Sequence, residues 1–515
     1  MIRQRLLLCA CCALLCISSA CTKDPDPAER CLAISQTTLD GAIVDRAALI
    51  ADRRDLPVFC QVQGTIEPDI GFEARLPISD WNGKYYQSGC GGYCGAVLAD
   101  KPGFSNTINE ALKRGYATIT TDGGHEGGLG DASWAEGDPV AVEVYAHRGI
   151  PLTYDVGTEL TRVYYGQPPA REYFGGCSNG GRMAAMAAQR YPALFDGILG
   201  GGAVLNLSFN GGVYGSWVVQ VNTSDSGERI LTRQNFAHKL PALEAAVREQ
   251  CDASDGTSDG VISAPRDCDV DVRELAACTA EETDSCFTAT EKGVLEKWYQ
   301  GPRNSAGEQL YPGMPAGSER YWQVWFLDDQ EQVAPGNQLG GSYAKYLGLG
   351  ADVDSAYTAM DFNFDRDPVR LAASGKLLDA LDPDLGAFRD AGGKYLMWHG
   401  LADPLVLPYQ SIDYYESVAA SLGGVDAIEA FFRLFVIPGH GHCWEMPSGL
   451  PEIFDPITVL DRWVESGEAP ERILARARDP AVAEIDEALL CPYPARAVFL
   501  PATDSATANS CSRRH

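Results

Sequence analysis

Two short motifs, far apart in the chain, carry residue types that could act together in catalysis. Ser178 lies within Gly176–Gly180, a Gly-x-Ser-x-Gly pattern, and His442 is followed directly by Cys443. This pattern is typical of a nucleophile elbow, a strand-to-helix turn so tight that it needs glycines around the serine. A serine nucleophile needs its base within about 2.6–3.2 Å. If His442 is that base, Cys177 and Cys443 come within the Cα separation of about 4.4–6.8 Å at which a disulfide can form.

The segments around Ser178 predict the elements that an elbow requires. Residues 171–177 have the pattern of a short strand, and residues 181–191 are strong helix formers that end before Pro192. Residues 195–200 then predict the next buried strand. Strand, turn, helix and strand in this order are the setting of a nucleophile elbow.

Two later apolar segments predict strands that end beside polar residues. Residues 394–400 precede Asp403, and residues 432–438 precede His442. Serine, aspartate and histidine in this chain order, each just past the carboxyl end of a strand, are the arrangement of α/β-hydrolases. The sequence therefore predicts an α/β fold with a catalytic triad of Ser178, Asp403 and His442.

Other residues of the same types compete for these roles. Asp365 and Asp367 are rivals of Asp403, which alone follows a predicted strand in the required chain order. The rival histidines are His125, His399 and His440. Histidines near a catalytic pocket are more often hydrogen-bonded structural residues than proton carriers. His442 is preferred because Cys443 adjoins it.

Over most of its length the chain resembles the tannase and feruloyl esterase family, which includes mono(hydroxyethyl) terephthalate hydrolase. The segments that carry the resemblance are Gly-Cys-Ser-Asn-Gly-Gly-Arg (176–182), His-Gly-Leu-Ala-Asp-Pro (399–404), Pro-Gly-His-Gly-His-Cys (438–443), Trp-Asn-Gly-Lys (81–84), Thr-Asp-Gly-Gly-His (121–125) and Cys-Asp-Ala-Ser-Asp-Gly-Thr-Ser-Asp-Gly (251–260). The resemblance implies an α/β-hydrolase fold with a large inserted lid domain. It also implies the triad of Ser178, Asp403 and His442 and a bridge between Cys177 and Cys443.

Acyl transfer also needs two backbone N–H groups about 2.7–3.1 Å from the developing oxyanion. The residue after the nucleophile, Asn179, supplies one at the start of its helix. The second is expected from the glycine-rich segment 89–95, because glycines let the backbone approach a substrate closely. The family resemblance points to Gly92, with Gly91 as the near alternative. The competing interpretation is that these glycines only make a tight turn.

A segment rich in aspartate predicts a metal site. Ca²⁺ prefers several oxygen ligands at about 2.3–2.6 Å, drawn from carboxylates and from carbonyls of a tightly curled loop. The resemblance implies a structural Ca²⁺ held by the carboxylates of Asp252, Asp255 and Asp259 and the carbonyls of Thr257 and Val261. The spacing is not that of an EF-hand, and no glutamate occupies the twelfth position. A solvated acidic turn is the alternative.

The N-terminus has the pattern of a secretory signal peptide over residues 1–20. Two arginines precede an apolar run from Leu6 to Ile17, which is too short to span a bilayer. Cys21 follows, and both lipidation and simple cleavage remain open, because Ser18 occupies a position where lipoproteins usually have an aliphatic residue. Any membrane attachment is therefore expected only through a lipid anchor at Cys21.

Twelve cysteines remain outside the leader and Cys21, and an exported chain is expected to pair them all. Local spacing predicts the pairs Cys251–Cys268, Cys278–Cys286, Cys491–Cys511 and Cys90–Cys94. Elimination leaves Cys31–Cys60. Buried free thiols are the alternative.

Length and charge set further bounds. The net charge of −29 argues against nucleic acid as a partner. A mature chain of about 490 residues exceeds what one core usually serves, so an insertion is expected. The predicted divisions are a signal peptide (1–20), a first core part (21–204), a lid insertion with the calcium loop (205–385), and a second core part with a disulfide-closed C-terminal tail (386–515).

These features predict an exported serine carboxylic ester hydrolase without an organic cofactor, located in the periplasm, outside the cell or on the outer membrane. The resemblance implies aromatic acyl substrates, such as feruloyl, hydroxycinnamoyl or galloyl esters, either small or linked to plant polymers. One alternative is another aryl or alkyl carboxylesterase, including a terephthalate-monoester hydrolase, although no arginine within residues 320–329 aligns as a partner for a second carboxylate. The other is a non-catalytic binding protein on the same scaffold.

Overall fold

The computed structural model describes residues 26–100, 108–256, 258, 260–279, 285–329, 332–443, 449–481, 486–498 and 510–512. The predicted signal peptide and Cys21 lie outside the described residues. Within the described ranges, no helix combines the length and apolar character needed to cross a membrane.

A nine-stranded sheet forms the centre of the fold. Its strands are β1 (Ala42–Ile50), β2 (Phe59–Ile66), β3 (Ile70–Pro77), β4 (Lys84–Ser88), β5 (Ala117–Thr121), β6 (Arg171–Cys177), β7 (Gly197–Gly201), β8 (Lys394–Gly400) and β9 (Phe432–Ile437). Their order across the sheet is β1-β2-β3-β5-β4-β6-β7-β8-β9. The pairs from β1 to β5 are antiparallel, and those from β5 through β4 to β9 are parallel. Parallel strands covered on both faces need apolar residues throughout, which explains the unbroken apolar runs of β7 and β8.

Two small sheets lie outside the central one. They consist of β10 (Pro451–Ile453), β11 (Ile473–Ala477) and β12 (Glu487–Leu490), and of β13 (Arg496–Val498) and β14 (Ser510–Ser512).

Seventeen α-helices are found among the described residues. They are α1 (Pro27–Ile34), α2 (Ile108–Lys113), α3 (Pro139–Glu143), α4 (Gly149–Tyr165), α5 (Asn179–Arg190), α6 (Gly215–Val221), α7 (Arg233–Ala237), α8 (Leu240–Cys251), α9 (Ala289–Gln300), α10 (Glu319–Trp325), α11 (Pro335–Ser342), α12 (Asp367–Arg370), α13 (Ala372–Leu378), α14 (Gly386–Asp390), α15 (Tyr409–Leu422), α16 (Val425–Ile428) and α17 (Pro456–Ser466). Three further segments are π-helical, namely Val144–Arg148, Ser208–Tyr214 and Tyr343–Gly348.

The elements around the two motifs match the sequence patterns closely. β6 and β8 have the bounds predicted from their apolar runs, and α5 begins two residues earlier than the predicted helix. The early residues of α5 are Asn-Gly-Gly, which are poor helix formers, so propensity alone placed the start too late. Between β7 and β8, the described residues add helices but no strand to the central sheet.

Six disulfides lie within the described part of the chain, some of them local and one of them linking distant segments. The bonded pairs are Cys31–Cys60, Cys90–Cys94, Cys177–Cys443, Cys251–Cys268, Cys278–Cys286 and Cys491–Cys511. These are the six pairs expected from the sequence. Cys177–Cys443 connects the end of β6 to the loop after β9, across 266 positions of the chain.

Candidate active site

Ser178 occupies the sharp turn between β6 and α5. Its backbone has φ 62° and ψ −122°, a left-handed φ that is uncommon for a residue with a side chain. A Cβ at Gly176 would lie 2.8 Å from the Cα of Gly180, so only glycine permits this close approach. Ser178 is largely buried but lines a cavity. The local geometry is that of a nucleophile elbow.

The disulfide holds the turn of Ser178 beside the loop that carries His442. Cys177 precedes Ser178, Cys443 follows His442, and their Cα atoms are 6.0 Å apart. His442 is buried, and its ring lies 5.5 Å from the ring of Trp325, nearly perpendicular to it. A covalent bond therefore ties together the two turns that carry the candidate nucleophile and base.

Asp403 orients the ring of His442. The Nδ1–H of His442 donates to Oδ2 of Asp403 at 2.6 Å. The backbone N–H groups of Leu405 and Val406 both donate to Oδ1, each at 2.9 Å. Because Nδ1 carries the proton, the neutral imidazole has its basic lone pair on Nε2, which is the atom required of a general base.

The same carboxylate also receives a hydrogen bond from a second histidine. Nε2 of His399 lies 3.3 Å from Oδ2 of Asp403 and 2.8 Å from the carbonyl of Val406, so this nitrogen is a donor. Burial would raise the pKa of Asp403, but the charge of His442 and the hydrogen bonds from both histidines outweigh it and lower the pKa to about 2. Asp403 therefore stays ionised at any ordinary working pH.

The rival residues have structural partners elsewhere. Both ring nitrogens of His440 are engaged, Nδ1 by Glu452 at 3.0 Å and Nε2 by the carbonyl of Cys443. Asp367 forms ion pairs with arginines, and Asp365 accepts a hydrogen bond from a lid backbone N–H. These contacts favour His442 and Asp403 as the reacting pair.

Gly92 and Asn179 line the same cavity as Ser178. Asn179 is the first residue of α5, where the backbone N–H has no intrahelical acceptor. Gly92 has φ +55°, and a Cβ there would lie 2.3 Å from the carbonyl oxygen of Leu129. Gly92 lines the cavity whereas Gly91 does not, which favours Gly92 as the second oxyanion donor.

The cavity beside Ser178 is small and mostly apolar. Its volume is about 50 Å³, and its lid-side wall includes Phe326, Leu339 and Tyr214. A larger cavity of about 280 Å³ lies beside the C-terminal strands, between Asp255 and Arg496, and does not include Ser178. Cavity size alone would therefore point away from the candidate catalytic residues.

Lid aromatics differ in what they contact. Phe326 lines the cavity, and Trp325 packs against the ring of His442. Trp322 is fully buried against Trp298, and Phe362 packs against another lid ring. Trp322 and Phe362 therefore belong to the core of the lid, whereas Phe326 and Trp325 lie beside the candidate site.

The predicted calcium loop is described in part. Asp252 and Asp255 lie on one 3₁₀ turn, and Asp255 is only 7% exposed. Oδ1 of Asp252 accepts a hydrogen bond from the N–H of Gly260 at 2.9 Å. Thr257 and Asp259 lie outside the described residues, and the remaining residues contain no group of three or more histidine, cysteine or acidic side chains arranged around a metal position. Asp252 and Asp255 lie three positions apart on this turn, and carboxylates are among the ligands that Ca²⁺ prefers.

The mixed sheet, the nucleophile turn after β6 and the acid and histidine after β8 and β9 define an α/β-hydrolase fold. The family model described as "Tannase and feruloyl esterase" matches residues 55–514. The chain belongs to this family, and it is a carboxylic ester hydrolase. The alternative of a non-catalytic binding protein is thereby set aside.

Individual relatives support the same placement. The chain is 34% identical to an uncharacterized esterase of Xanthomonas campestris, over 90% of this chain and 84% of the relative. It is 31% identical to mono(2-hydroxyethyl) terephthalate hydrolase of Piscinibacter sakaiensis, over 87% of this chain and 84% of the relative. The crystal structure of feruloyl esterase B from Aspergillus oryzae superposes with a TM-score of 0.80 at 22% identity, covering 95% of this chain and 100% of that one, and shows the shared fold.

Two of the contacts that shape this site are not predicted by any sequence pattern. His399 was considered only as a rival base, whereas its ring donates to Asp403. The hydroxyl of Tyr145 donates to the carbonyl of Gly92 at 3.1 Å. No local motif marks either contact, because each joins residues from different elements.

Proposed function

We propose that this protein is an exported serine esterase that hydrolyses esters of aromatic acids through Ser178, His442 and Asp403. The observation that carries the proposal is the 2.6 Å hydrogen bond between His442 and Asp403, on a loop bonded through Cys443 to the turn of Ser178. The six disulfides support export, because disulfides persist in oxidising compartments.

The reaction follows from the roles of these atoms. Oγ of Ser178 attacks the ester carbonyl while Nε2 of His442 takes its proton. Asp403 stabilises the resulting imidazolium, and the N–H groups of Asn179 and Gly92 stabilise the tetrahedral oxyanion. The intermediate collapses as His442 returns the proton to the leaving alcohol, which gives an acyl-enzyme. Water, activated by His442, then attacks the acyl-enzyme and releases the acid.

The substrate class rests on the relatives. The family description names tannase and feruloyl esterase, and one relative is a hydrolase of a terephthalate ester. The acids concerned are all aromatic. For the terephthalate monoester itself, Arg320 is ion-paired with Glu244 at 2.8 Å, so it is already engaged by a carboxylate of the lid.

Cavity size favours a second candidate, a short-chain alkyl esterase. The cavity beside Ser178 has a volume of about 50 Å³. A cavity that takes up benzene has about 150 Å³, roughly three times as much. Acetyl or propionyl groups need little rearrangement there, whereas an aromatic ring requires wall residues such as Phe326 or Leu339 to move. The two candidates therefore differ in the acyl group that they prefer.

The experiment that tests the proposal combines labelling with an ester screen. A fluorophosphonate is expected to abolish activity and to add its mass to Ser178 alone. Methyl ferulate or methyl gallate is expected to exceed methyl butyrate about tenfold in kcat/KM, after correction for intrinsic reactivity, because two aromatic contacts of about 0.5–1.5 kcal/mol each would favour a ring. Absence of both label and hydrolysis would contradict the catalytic proposal, and a preference for methyl butyrate would establish the second candidate.

A matched pair of lid variants locates the preference. Phe326→Leu alters the cavity wall and is expected to change the aromatic-to-aliphatic ratio. Phe362→Leu alters a buried lid residue that does not line the cavity and is expected to leave the ratio unchanged.

The proposal includes a structural Ca²⁺ held by Asp252, Asp255 and Asp259 with the carbonyls of Thr257 and Val261. The ion would neutralise these carboxylates and fix the loop that the Cys251–Cys268 disulfide closes. It has no part in the chemical step.

Removing calcium is expected to lower the melting temperature with little effect on kcat. A ligand at a hundred times its Kd stabilises the folded state by about 2.7 kcal/mol, and this contribution is lost on chelation. Asp255→Asn should reproduce the loss, whereas Asp269→Asn, at an exposed acid nearby in the sequence, should not. Elemental analysis that finds no calcium after purification in calcium buffer, together with a melting temperature indifferent to EDTA, would refute the site.

A further inference from the structure

The segment from Cys90 to Cys94, called here the oxyanion loop, has four successive backbone carbonyls that each accept a hydrogen bond. Nδ2 of Asn179 donates to the carbonyl of Cys90 at 3.1 Å, and the N–H of Cys94 donates to that of Gly91 at 2.9 Å. The two following carbonyls accept from side chains that arise after β5. Each of these four peptide groups in the oxyanion loop is thus oriented by its own hydrogen bond.

Tyr145 and His125 supply the last two hydrogen bonds. The hydroxyl of Tyr145 donates to the carbonyl of Gly92 at 3.1 Å, and Nε2 of His125 donates to the carbonyl of Tyr93 at 2.6 Å. Burial raises the pKa of Tyr145 to about 12 and lowers the pKa of His125 to about 4. At neutral pH the phenol of Tyr145 therefore keeps its proton. The imidazole of His125 is neutral, and its one N–H donates to the carbonyl of Tyr93.

These contacts fix the direction of one N–H group. In a trans peptide, the N–H lies opposite the carbonyl of the preceding residue. The hydrogen bond to the carbonyl of Gly91 therefore sets the direction of the Gly92 N–H. The hydrogen bond to the carbonyl of Gly92 sets the plane of the next peptide group, in which the N–H of Tyr93 donates to the carbonyl of Leu129 at 2.8 Å. The two planes together determine the left-handed conformation of Gly92, with φ +55°.

Tyr145 is held in turn by Arg182, a residue of the helix α5 that follows Ser178. The guanidinium of Arg182, on α5, lies 4.9 Å from the centre of the Tyr145 ring and donates to the Tyr145 backbone carbonyl at 3.0 Å. Nε of Arg182 also donates to Oδ1 of Asn179 at 2.7 Å. One buried cation therefore connects both candidate oxyanion donors. Tyr145 lies in the π-helix Val144–Arg148, a conformation that is rare and frequent at functional sites.

We infer that Tyr145 is a positioning residue for the oxyanion hole. Its hydroxyl holds the carbonyl of Gly92 and thereby the backbone conformation of Gly92, so that the Gly92 N–H faces the oxygen of the tetrahedral intermediate. This inference rests on the proposed function. It concerns the transition state rather than the bound ester, because the oxyanion forms only after Ser178 attacks.

Tyr145→Phe tests the inference, since it removes one hydroxyl and keeps the ring against Arg182. Losing a whole oxyanion donor costs about 10²–10³ in kcat, so a donor that remains but is less well oriented is expected to cost about tenfold. KM should stay within twofold. The inhibition constant of phenylboronic acid, which forms a tetrahedral adduct with a catalytic serine, should rise by the same factor as kcat falls.

Tyr165→Phe is the matched control, because that hydroxyl also donates to a backbone carbonyl, that of Pro77 at 2.8 Å. Folding of both variants is checked by thermal melting. The inference would be overturned if kcat and the inhibition constant of phenylboronic acid were unchanged in Tyr145→Phe, or if Tyr165→Phe changed both as much as Tyr145→Phe does. Failure of fluorophosphonate to label Ser178 in the unmodified protein would instead refute the proposed function.

Discussion

Replacing Ser178 with alanine is expected to lower kcat by about five to six orders of magnitude, the cost of removing the nucleophile from an enzyme of this mechanism. The fold should remain, because the change removes one hydroxyl from a turn whose conformation is set by Gly176 and the disulfide. Ester hydrolysis and thermal melting of the purified variant measure the two effects. Ser216→Ala removes another buried serine hydroxyl, on α6, and should retain full activity.

The same measurement distinguishes the two neighbouring histidines. His442→Ala should lose as much activity as Ser178→Ala, because nucleophile and base act as a unit. His440→Ala should keep a substantial part, since the ring of His440 binds Glu452 and the carbonyl of Cys443. Equal loss in both variants, with both folded, would contradict the assignment of His442 as the base.

Asp403→Asn is expected to lower kcat by about 10⁴, the size of effect that follows when a triad histidine is held in the wrong tautomer. The structure determines how the amide must sit. Two backbone N–H groups point at Oδ1 of Asp403, so the amide oxygen takes that position and the NH₂ group faces His442. Nδ1 of His442 must then accept a hydrogen bond, and its proton moves to Nε2, where the base is needed.

The control for this variant is Asp455→Asn, since Asp455 also accepts a backbone N–H, at the start of α17, and asparagine caps helices equally well. It should leave kcat unchanged. The kinetics of the two variants, compared with their melting temperatures, separate a catalytic loss from a folding loss. Activity of Asp403→Asn within tenfold of the unmodified protein would rule out the tautomer argument.

The sequence predicted the part of the site that depends on local patterns. The elbow requires glycines at fixed offsets from Ser178, and the buried strands show unbroken apolar runs, so both are visible without a structure. His399 and Tyr145 were not predictable as positioning residues, because a single donor to a distant acceptor leaves no periodicity. For the aromatic residues of the lid, composition alone cannot distinguish Phe326, which lines the cavity, from Trp322, which is buried in the lid.

The bond between Cys177 and Cys443 can form only late in the synthesis of the chain. Its two cysteines are 266 positions apart, and the second follows β9, the last strand of the central sheet to be synthesised. A ribosome has therefore produced all nine strands of the central sheet before this bridge can close. In a reducing cytosol the bridge stays open, so the turns of Ser178 and His442 are not covalently joined there. In the exported esterase proposed above, the covalent link between the two turns is thus a late event in the life of the chain, made by the oxidising chemistry of the receiving compartment.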